Sequence, residues 1–314
     1  TGFESPNDLA PTAYDATQWV TTVKNAGGKM LMLVVKHHEG FSLFPSQYTD
    51  HDIASSAWMG GAGNIVRDVS DACAAQGIKF GVYLSPADLY QIESATDYTK
   101  GSGYYGHGST SKISNIPTNP ATFDSDPTQT RTPPAGFTTY QYNADDYNRY
   151  FLNQLYELLT EYGDIAEVWF DGATPKNGPQ PQAYNRHDWY DLINKLQPGA
   201  NIAVKGPDVR WCGNEAGHTR QSEWSPVAIA KPYKNWEWGG SRGPDLGSRA
   251  KLKNAQFVHW WPSEVNTSIR HGWFWRNEKQ HIHSAAKVYD IYERSIGGNA
   301  VLLLNVPPNK DGVF

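Results

Sequence analysis

A chain of 314 residues can form one α/β domain of about 250 residues with insertions, or two modest domains. The net charge of -5, without a basic run, argues against a nucleic-acid partner or an anionic membrane surface. No apolar stretch approaches the ~20 residues of a transmembrane helix, and Cys73 and Cys212 are too few for a disulfide framework or a thiolate metal site.

Helical and strand-like segments alternate along most of the chain, which is typical of a parallel sheet. We predict helices at 15–26, 64–76, 144–162, 187–196 and 279–296, and strands that begin at residues 30, 79, 166, 201, 221, 256 and 300. A segment at about 97–140, rich in Gly, Ser, Thr and Pro, interrupts the alternation and is interpreted as a long insertion after the second strand. We therefore expect a single catalytic domain over 1–314.

The third strand ends in a carboxylate. In the run Glu-Val-Trp-Phe-Asp-Gly-Ala at 167–173, period-two geometry places Trp169 and Asp171 on one face. Barrels of alternating strands and helices carry their reactive groups at the carboxyl ends of strands. An Asp at this point also serves as a turn cap, and this segment alone does not distinguish the two roles.

Adjacent histidines follow the first strand. His37 and His38 should point to opposite faces if the strand continues, and they lack the helical spacing of a zinc protease. His281 and His283, predicted to lie on a helix, are two residues apart and would not share a face. We therefore expect no metal and no cofactor, and interpret His37 and His38 as hydrogen-bonding groups for a polar ligand.

Several carboxylates lie near predicted strand ends among Trp and Tyr residues. They are Asp171, Asp208, Glu215, Glu223 and Glu264. Glycoside cleavage with retention needs one ionised carboxylate and one protonated carboxyl group about 5–5.5 Å apart. Glu215, close to Trp211 and Cys212, fits the protonated partner, whose pKa must be raised. Nucleophile-elbow, phosphate-loop and dinucleotide fingerprints are missing from the sequence.

Five segments resemble the α-L-fucosidases of glycoside hydrolase family 29. They are 14–19 (Tyr-Asp-Ala-Thr-Gln-Trp), 36–41 (Lys-His-His-Glu-Gly-Phe), 81–86 (Gly-Val-Tyr-Leu-Ser-Pro), 169–173 (Trp-Phe-Asp-Gly-Ala) and 210–217 (Arg-Trp-Cys-Gly-Asn-Glu-Ala-Gly). The last of them, with 272–275 (Gly-Trp-Phe-Trp) and 302–308 (Leu-Leu-Leu-Asn-Val-Pro-Pro), resembles the subgroup specific for α-1,3/1,4-linked fucose.

The resemblance implies a retaining exo-glycosidase on a (β/α)8-like (TIM-type) barrel that acts on fucosylated oligosaccharides of the Lewis type. Asp171 would be the nucleophile and Glu215 the acid and base. The resemblance assigns substrate binding to His37, His38, Tyr83, Trp169, Arg210, Glu264 and Trp273. The substrate class, together with a start at Thr1 without a signal-like segment, leads us to expect a secreted protein whose targeting peptide has been removed.

The sequence departs from the family pattern in three ways. Family members begin with a strand that carries a His and a Glu-Trp, which nothing before Glu4 matches. With seven predicted strands, we expect a barrel whose first strand is absent from this sequence. Ala87 stands where the subgroup often has Trp, and no β-sandwich follows the last strand.

Two other functions fit the same residues. A fucose-binding, lectin-like protein without catalysis is the first alternative, prompted by the missing strand. A barrel hydrolase of another sugar is the second. The sequence does not give the oligomeric state.

Overall fold

The computed structural model describes residues 2, 4–92, 103–105, 109–173, 182–232, 243 and 245–314. The chain divides into two compact units, one of Thr1–Pro11 with Asp15–Ala200 and one of Thr12–Tyr14 with Asn201–Phe314. Both contain helices and parallel strands, so the expected α/β class is confirmed. Within the described residues, no helix has the length and apolar content that a membrane crossing requires.

The first unit alternates strands and helices. Its elements are α1 (Ala16–Asn25), β1 (Met30–Lys36), α2 (Ile65–Gln76), β2 (Lys79–Leu84), β3 (Lys112–Ile116), β4 (Tyr140–Ala144), α3 (Asp146–Glu161), β5 (Glu167–Phe170) and α4 (Arg186–Leu196). Helices α1 and α2 begin where side chains cap them: Asp15 accepts from the Thr17 and Gln18 amides, and Asn64 accepts from the Arg67 amide.

Three parallel strands form the centre of this unit, in the order β1-β2-β5. Every residue of β5 is buried, as expected for a parallel strand covered on both faces. The register between β1 and β2 shifts between Val34 and Lys36, so β1 contains one extra residue at its carboxyl end. This shift turns the Lys36 side chain into the interior, where it is fully buried.

Helix α3 is buried on all sides. Thirteen of its sixteen residues are buried, including the polar residues Asn153, Gln154 and Glu157. These side chains are hydrogen-bonded to Lys36 of β1 and to surrounding loops, which is how a buried helix can carry polar side chains.

The predicted insertion lies partly outside the described residues, because 97–102 and 106–108 are not among them. The described remainder includes one regular feature that the composition did not indicate. Strands β3 and β4 pair in antiparallel fashion, and β4 runs directly into α3.

The second unit contains β6 (Asn201–Val204), β7 (Arg210–Trp211), β8 (Pro226–Ile229), α5 (Arg249–Lys253), β9 (Phe257–Trp260), β10 (Ser263–Ser268), α6 (Ala285–Ile296) and β11 (Ala300–Asn305). Strand β10 lies between β11 and β7 and is parallel to both. Strands β8 and β9 form a separate antiparallel pair.

The sequence prediction for this unit missed the short elements β7, β8 and α5 and made three larger errors. Residues 221–224 are not a strand, because Glu223 is buried there in ion pairs with Arg210 and Arg220. Strand β10 was missed because its sequence, Ser-Glu-Val-Asn-Thr-Ser, is polar although all six residues are buried.

The third error concerns the last helix, which was predicted to begin at residue 279. Helix α6 begins at Ala285, because the Ser284 hydroxyl caps it by accepting from the Lys287 amide. His281 and His283 therefore precede the helix, and their rings meet edge to face with centroids 5.5 Å apart.

Candidate active site

Asp171 lies immediately after β5 with both carboxylate oxygens held. Oδ2 accepts a hydrogen bond of 2.7 Å from the Tyr83 hydroxyl, and Oδ1 accepts one of 2.7 Å from the Ala173 amide. The side chain is 26% exposed, so the carboxylate is fixed in position and still accessible. Each carboxylate oxygen can accept a second hydrogen bond, which leaves lone pairs for a ligand.

A stack of three flat rings supports this carboxylate. Tyr83 lies between Trp169, with ring centroids 5.0 Å apart, and His37, with centroids 5.6 Å apart. Tyr83 and Trp169 are paired in the β2–β5 register, which explains why their rings meet. Burial, reinforced by the Asp171 carboxylate, raises the pKa of Tyr83 far above its ordinary value. Tyr83 therefore stays protonated and donates to Asp171.

His37 and His38 do not point to opposite faces, contrary to the prediction from strand alternation. Strand β1 ends at Lys36, and both histidines lie in a turn closed by the Gly40 amide, which donates to the His37 carbonyl at 3.0 Å. Their ring centroids are 3.9 Å apart. Period-two geometry does not apply beyond the end of the strand, so the rings lie side by side: His37 stacks on Tyr83, and His38 lies near Asp171.

Each histidine has a partner that sequence reasoning missed. His37 Nδ1 lies 3.2 Å from a carboxylate oxygen of Glu39, and His38 Nδ1 lies 2.6 Å from the Ser85 hydroxyl. His38 Nε2 is 3.8 Å from Asp171 Oδ2. Burial, with a further contribution from His37, lowers the pKa of His38, so its imidazole is neutral at pH 7. The position of Ser85 directly after the end of β2 is the sequence feature that could have indicated the contact with His38.

A buried polar network lies behind the histidine turn. The Lys36 ammonium contacts the Asp88 carboxylate and the Gln154 side-chain oxygen, both at 2.8 Å, and the Tyr150 hydroxyl donates to Asp88 at 2.9 Å. The Leu89 amide donates to the His38 carbonyl at 2.7 Å. The network thus fixes the loops after β1 and β2 to each other.

In the second unit, Glu215 and Trp273 come together. The Trp273 indole N–H donates to Glu215 Oε2 at 3.3 Å, and the Glu215 side chain lies in an exposed loop after β7. Asn214 shapes this loop by accepting from the Ala216 amide at 2.9 Å. Asn305, at the end of β11, donates to the Trp273 carbonyl at 2.8 Å and positions that residue.

Arg210 and Glu264 are fully buried. Arg210 donates to Glu223 and, at 2.9 Å and 2.7 Å, to the carbonyls of Trp261 and Trp224, so its guanidinium joins three segments of this unit. Glu264 lies on β10, paired in register with Trp211 of β7. These placements favour internal roles over direct contact with a ligand.

The other candidate carboxylates are also structural. Asp208 accepts from the Ile202 amide at 2.8 Å, and Glu223 holds two arginines. No cluster of three His, Cys, Asp or Glu side chains suited to a metal ion occurs in the described residues. The structure thus assembles Asp171, His37, His38, Tyr83 and Trp169 in the first unit, and Glu215 with Trp273 in the second.

A family model described as alpha-L-fucosidase matches residues 4–314. The chain belongs to the α-L-fucosidase family, glycoside hydrolase family 29. Alpha-L-fucosidase 1 of Arabidopsis thaliana is a relative with 34% identity over 322 residues, covering 100% of this chain and 51% of the relative.

Solved structures of fucosidases resemble the chain as well. A Bacteroides ovatus protein assigned to the α-L-fucosidases has 37% identity and a TM-score of 0.78, over 99% of this chain and 47% of that one. A Ruminococcus gnavus GH29 fucosidase in complex with fucose has 28% identity and a TM-score of 0.73, over 99% and 57%. The chain therefore spans about half the length of the curated relatives it matches.

Proposed function

We propose that this chain carries the reactive residues of a retaining exo-α-L-fucosidase that releases α-1,3/1,4-linked L-fucose from Lewis-type oligosaccharides. The observation that carries the proposal is the Asp171 carboxylate, held at both oxygens beside stacked rings in a chain of this family. The R. gnavus relative, solved with fucose, supports the choice of sugar.

Asp171 is assigned the role of nucleophile. One carboxylate oxygen attacks C1 of the fucosyl group while the bond from C1 to the departing oxygen breaks, and a fucosyl-enzyme ester forms. The Tyr83 hydroxyl and the Ala173 amide hold the carboxylate in the rotamer that this attack needs. The stacked faces of Tyr83 and Trp169 supply an apolar surface of the kind that sugar rings contact.

Glu215 is assigned the role of acid and base. It gives its proton to the departing GlcNAc oxygen in the first step. In the second step it takes a proton from a water molecule that attacks C1, while the bond from C1 to Asp171 breaks and the carboxylate is regenerated. The Trp273 indole donates to Oε2 and orients the carboxyl group. The α-1,3/1,4 linkage is supported by the segments at 210–217 and 272–275, whose residues match that subgroup.

We also infer that the parallel strands belong to a (β/α)8-like barrel, with 1–314 as one catalytic domain. The support is the parallel order β1-β2-β5 in the first unit and β11-β10-β7 in the second. A crystal structure in which these strands do not belong to one parallel sheet would contradict this inference.

The first test is fucose release from Lewis a and Lewis x trisaccharides, measured beside 4-nitrophenyl α-L-fucoside. We expect release from the trisaccharides and, by NMR during the first minutes, α-L-fucose as the initial anomer. Initial release of β-L-fucose would refute retention. Preference for the nitrophenyl compound over both trisaccharides would refute the linkage, and binding without release would leave a lectin.

Azide rescue distinguishes the two carboxylates. Asp171→Gly removes the nucleophile, so azide should attack from the opposite face and yield β-fucosyl azide. Glu215→Ala should lower turnover of the trisaccharides by about 10²–10⁴-fold, and azide should yield α-fucosyl azide through the intact intermediate. The exposed Asp164→Gly variant is the control. Identical azide products from the two variants would contradict the assignment of roles.

A further inference from the structure

Ser85 connects the end of β2 to the histidine turn. Its side chain is fully buried, and its hydroxyl donates to the Ala87 carbonyl at 2.8 Å. The same oxygen lies 2.6 Å from His38 Nδ1. The Ser85 hydroxyl thus contacts the Ala87 carbonyl, which can only accept a hydrogen bond, and His38 Nδ1, whose role depends on where the imidazole proton is.

Counting protons settles the direction of the second bond. A serine hydroxyl carries one proton, and here that proton goes to a carbonyl oxygen. Tyr83 also lies close to Ser85, but the Tyr83 proton is donated to Asp171, so Tyr83 can only accept from Ser85. In either case Ser85 has no proton left for His38, and His38 Nδ1 must carry the hydrogen.

We infer that Ser85 is a positioning residue: it holds His38 in the Nδ1–H tautomer, so that Nε2 accepts a hydrogen bond from a hydroxyl of the bound sugar. That the sugar is L-fucose rests on the proposed function. Nε2 of His38 lies 3.8 Å from Asp171 Oδ2, so two hydrogen-bond acceptors lie side by side at this point of the site. A ligand hydroxyl, which donates, satisfies such a place, whereas an ether or carbonyl oxygen does not.

Two further observations agree with this arrangement. Burial and the neighbouring His37 keep the His38 imidazole neutral, which leaves the Nε2 lone pair available. The Leu89 amide donates to the backbone carbonyl of His38 at 2.7 Å, so this residue is held both at its backbone and at ring atom Nδ1. With both points fixed, Nε2 has one direction in which to accept.

The tautomer can be measured in the ligand-free protein by ¹⁵N NMR of labelled histidines, with His38→Gln used to assign the signals. We expect a protonated Nδ1 and an unprotonated Nε2 in the native protein. Ser85→Ala should move the population toward the Nε2–H form that the free histidine side chain prefers. Ser70→Ala, which also removes a buried hydroxyl bonded to a carbonyl, is the matched control and should leave the His38 signals unchanged.

The second measurement is the affinity for free L-fucose. Ser85→Ala should weaken binding by about 10-fold, the size expected for one hydrogen bond, whereas Ser70→Ala should not. A native His38 protonated on Nε2, or a tautomer unchanged in Ser85→Ala, would overturn the positioning role. A changed tautomer with unchanged fucose affinity would overturn the role in sugar binding. A native protein that binds no L-fucose would refute the proposed function, and the ligand-free spectra would still decide the tautomer.

Discussion

Glu157 is the buried carboxyl group whose titration should dominate the pH dependence of stability in the first unit. It lies on α3 with 1% of its surface exposed. The Ser46 hydroxyl donates to Oε2 at 2.8 Å, and the Gln47 amide donates to Oε1 at 2.9 Å. Burial raises its pKa to about 8, although these two hydrogen bonds act in the opposite direction.

The sign of the effect follows from proton linkage. Between pH 4.5, the ordinary value for Glu, and about pH 8, the folded state binds a proton that the unfolded state has lost. The contribution of Glu157 to stability is fully present below pH 4.5, falls as the pH rises, and is lost once the pH passes about 8. Each pH unit in this window changes the unfolding free energy by about 1.4 kcal/mol. From pH 5 to pH 7 the loss is therefore about 2–3 kcal/mol.

Glu157→Gln removes the titration while keeping the shape. The amide oxygen can accept from the Gln47 amide, and the amide N–H can donate to the Ser46 hydroxyl oxygen. We expect the unfolding free energy of the variant, relative to the native protein, to rise by about 2–3 kcal/mol from pH 5 to pH 7.

Urea unfolding at pH 5, 6, 7 and 8, followed by tryptophan fluorescence, measures this difference. Asp71→Asn removes a carboxylate that is 67% exposed in the same unit and should give a curve parallel to that of the native protein. Parallel curves for Glu157→Gln and the native protein across this pH range would refute the reasoning, because they would mean that the pKa of Glu157 is the same in the folded and unfolded states.

Three further variants test contacts around the candidate site. Tyr83→Phe removes the hydrogen bond to Asp171 and should lower kcat/KM for 4-nitrophenyl fucoside by about 10- to 100-fold with an unchanged melting temperature; an unchanged kcat/KM would contradict its positioning role. Lys36→Met leaves the Asp88 carboxylate buried without its ammonium and should cost about 3–5 kcal/mol in urea unfolding at pH 7; a loss below 1 kcal/mol would contradict a buried ion pair. Gly40→Ala should cost about 1–3 kcal/mol, since φ is +91° and the new Cβ would overlap Asp88; a native melting temperature would contradict this.

The regular elements with apolar sequences could be predicted, because burial and periodicity agree in them. Strands β1, β2, β5 and β11 are runs of this kind, and their predicted starts match the structure within one residue. Strand β10 could not be found in this way. It is the middle strand of its sheet, between β7 and β11, which lie far along the chain, and its polar sequence gives no sign that all six residues are buried.

The contacts of the candidate site likewise include some that strand patterns predict and some that they do not. Sequence patterns predict parallel strands, and the parallel pairing of β2 with β5 brings Asp171 near Tyr83. The contact of His38 with Ser85 depends on a turn beyond the strand, where alternation no longer predicts direction. Arg210 is buried by contacts with residues 13 to 51 positions away, and Glu264 lies on a strand paired with β7, so the local sequence does not predict either environment.

The extra residue at the end of β1 has a consequence for chain length. Because Lys36 pairs with Leu84 two positions after Val34 pairs with Tyr83, His37 begins its turn at the level along the sheet that Lys36 would otherwise occupy. A strand of the same length without this shift would pair Val35 with Leu84, place both imidazoles about 3.3 Å further along the sheet and exchange the faces of the side chains that follow. Grafts of this histidine turn onto another parallel strand must therefore match the length of the strand as well as its sequence.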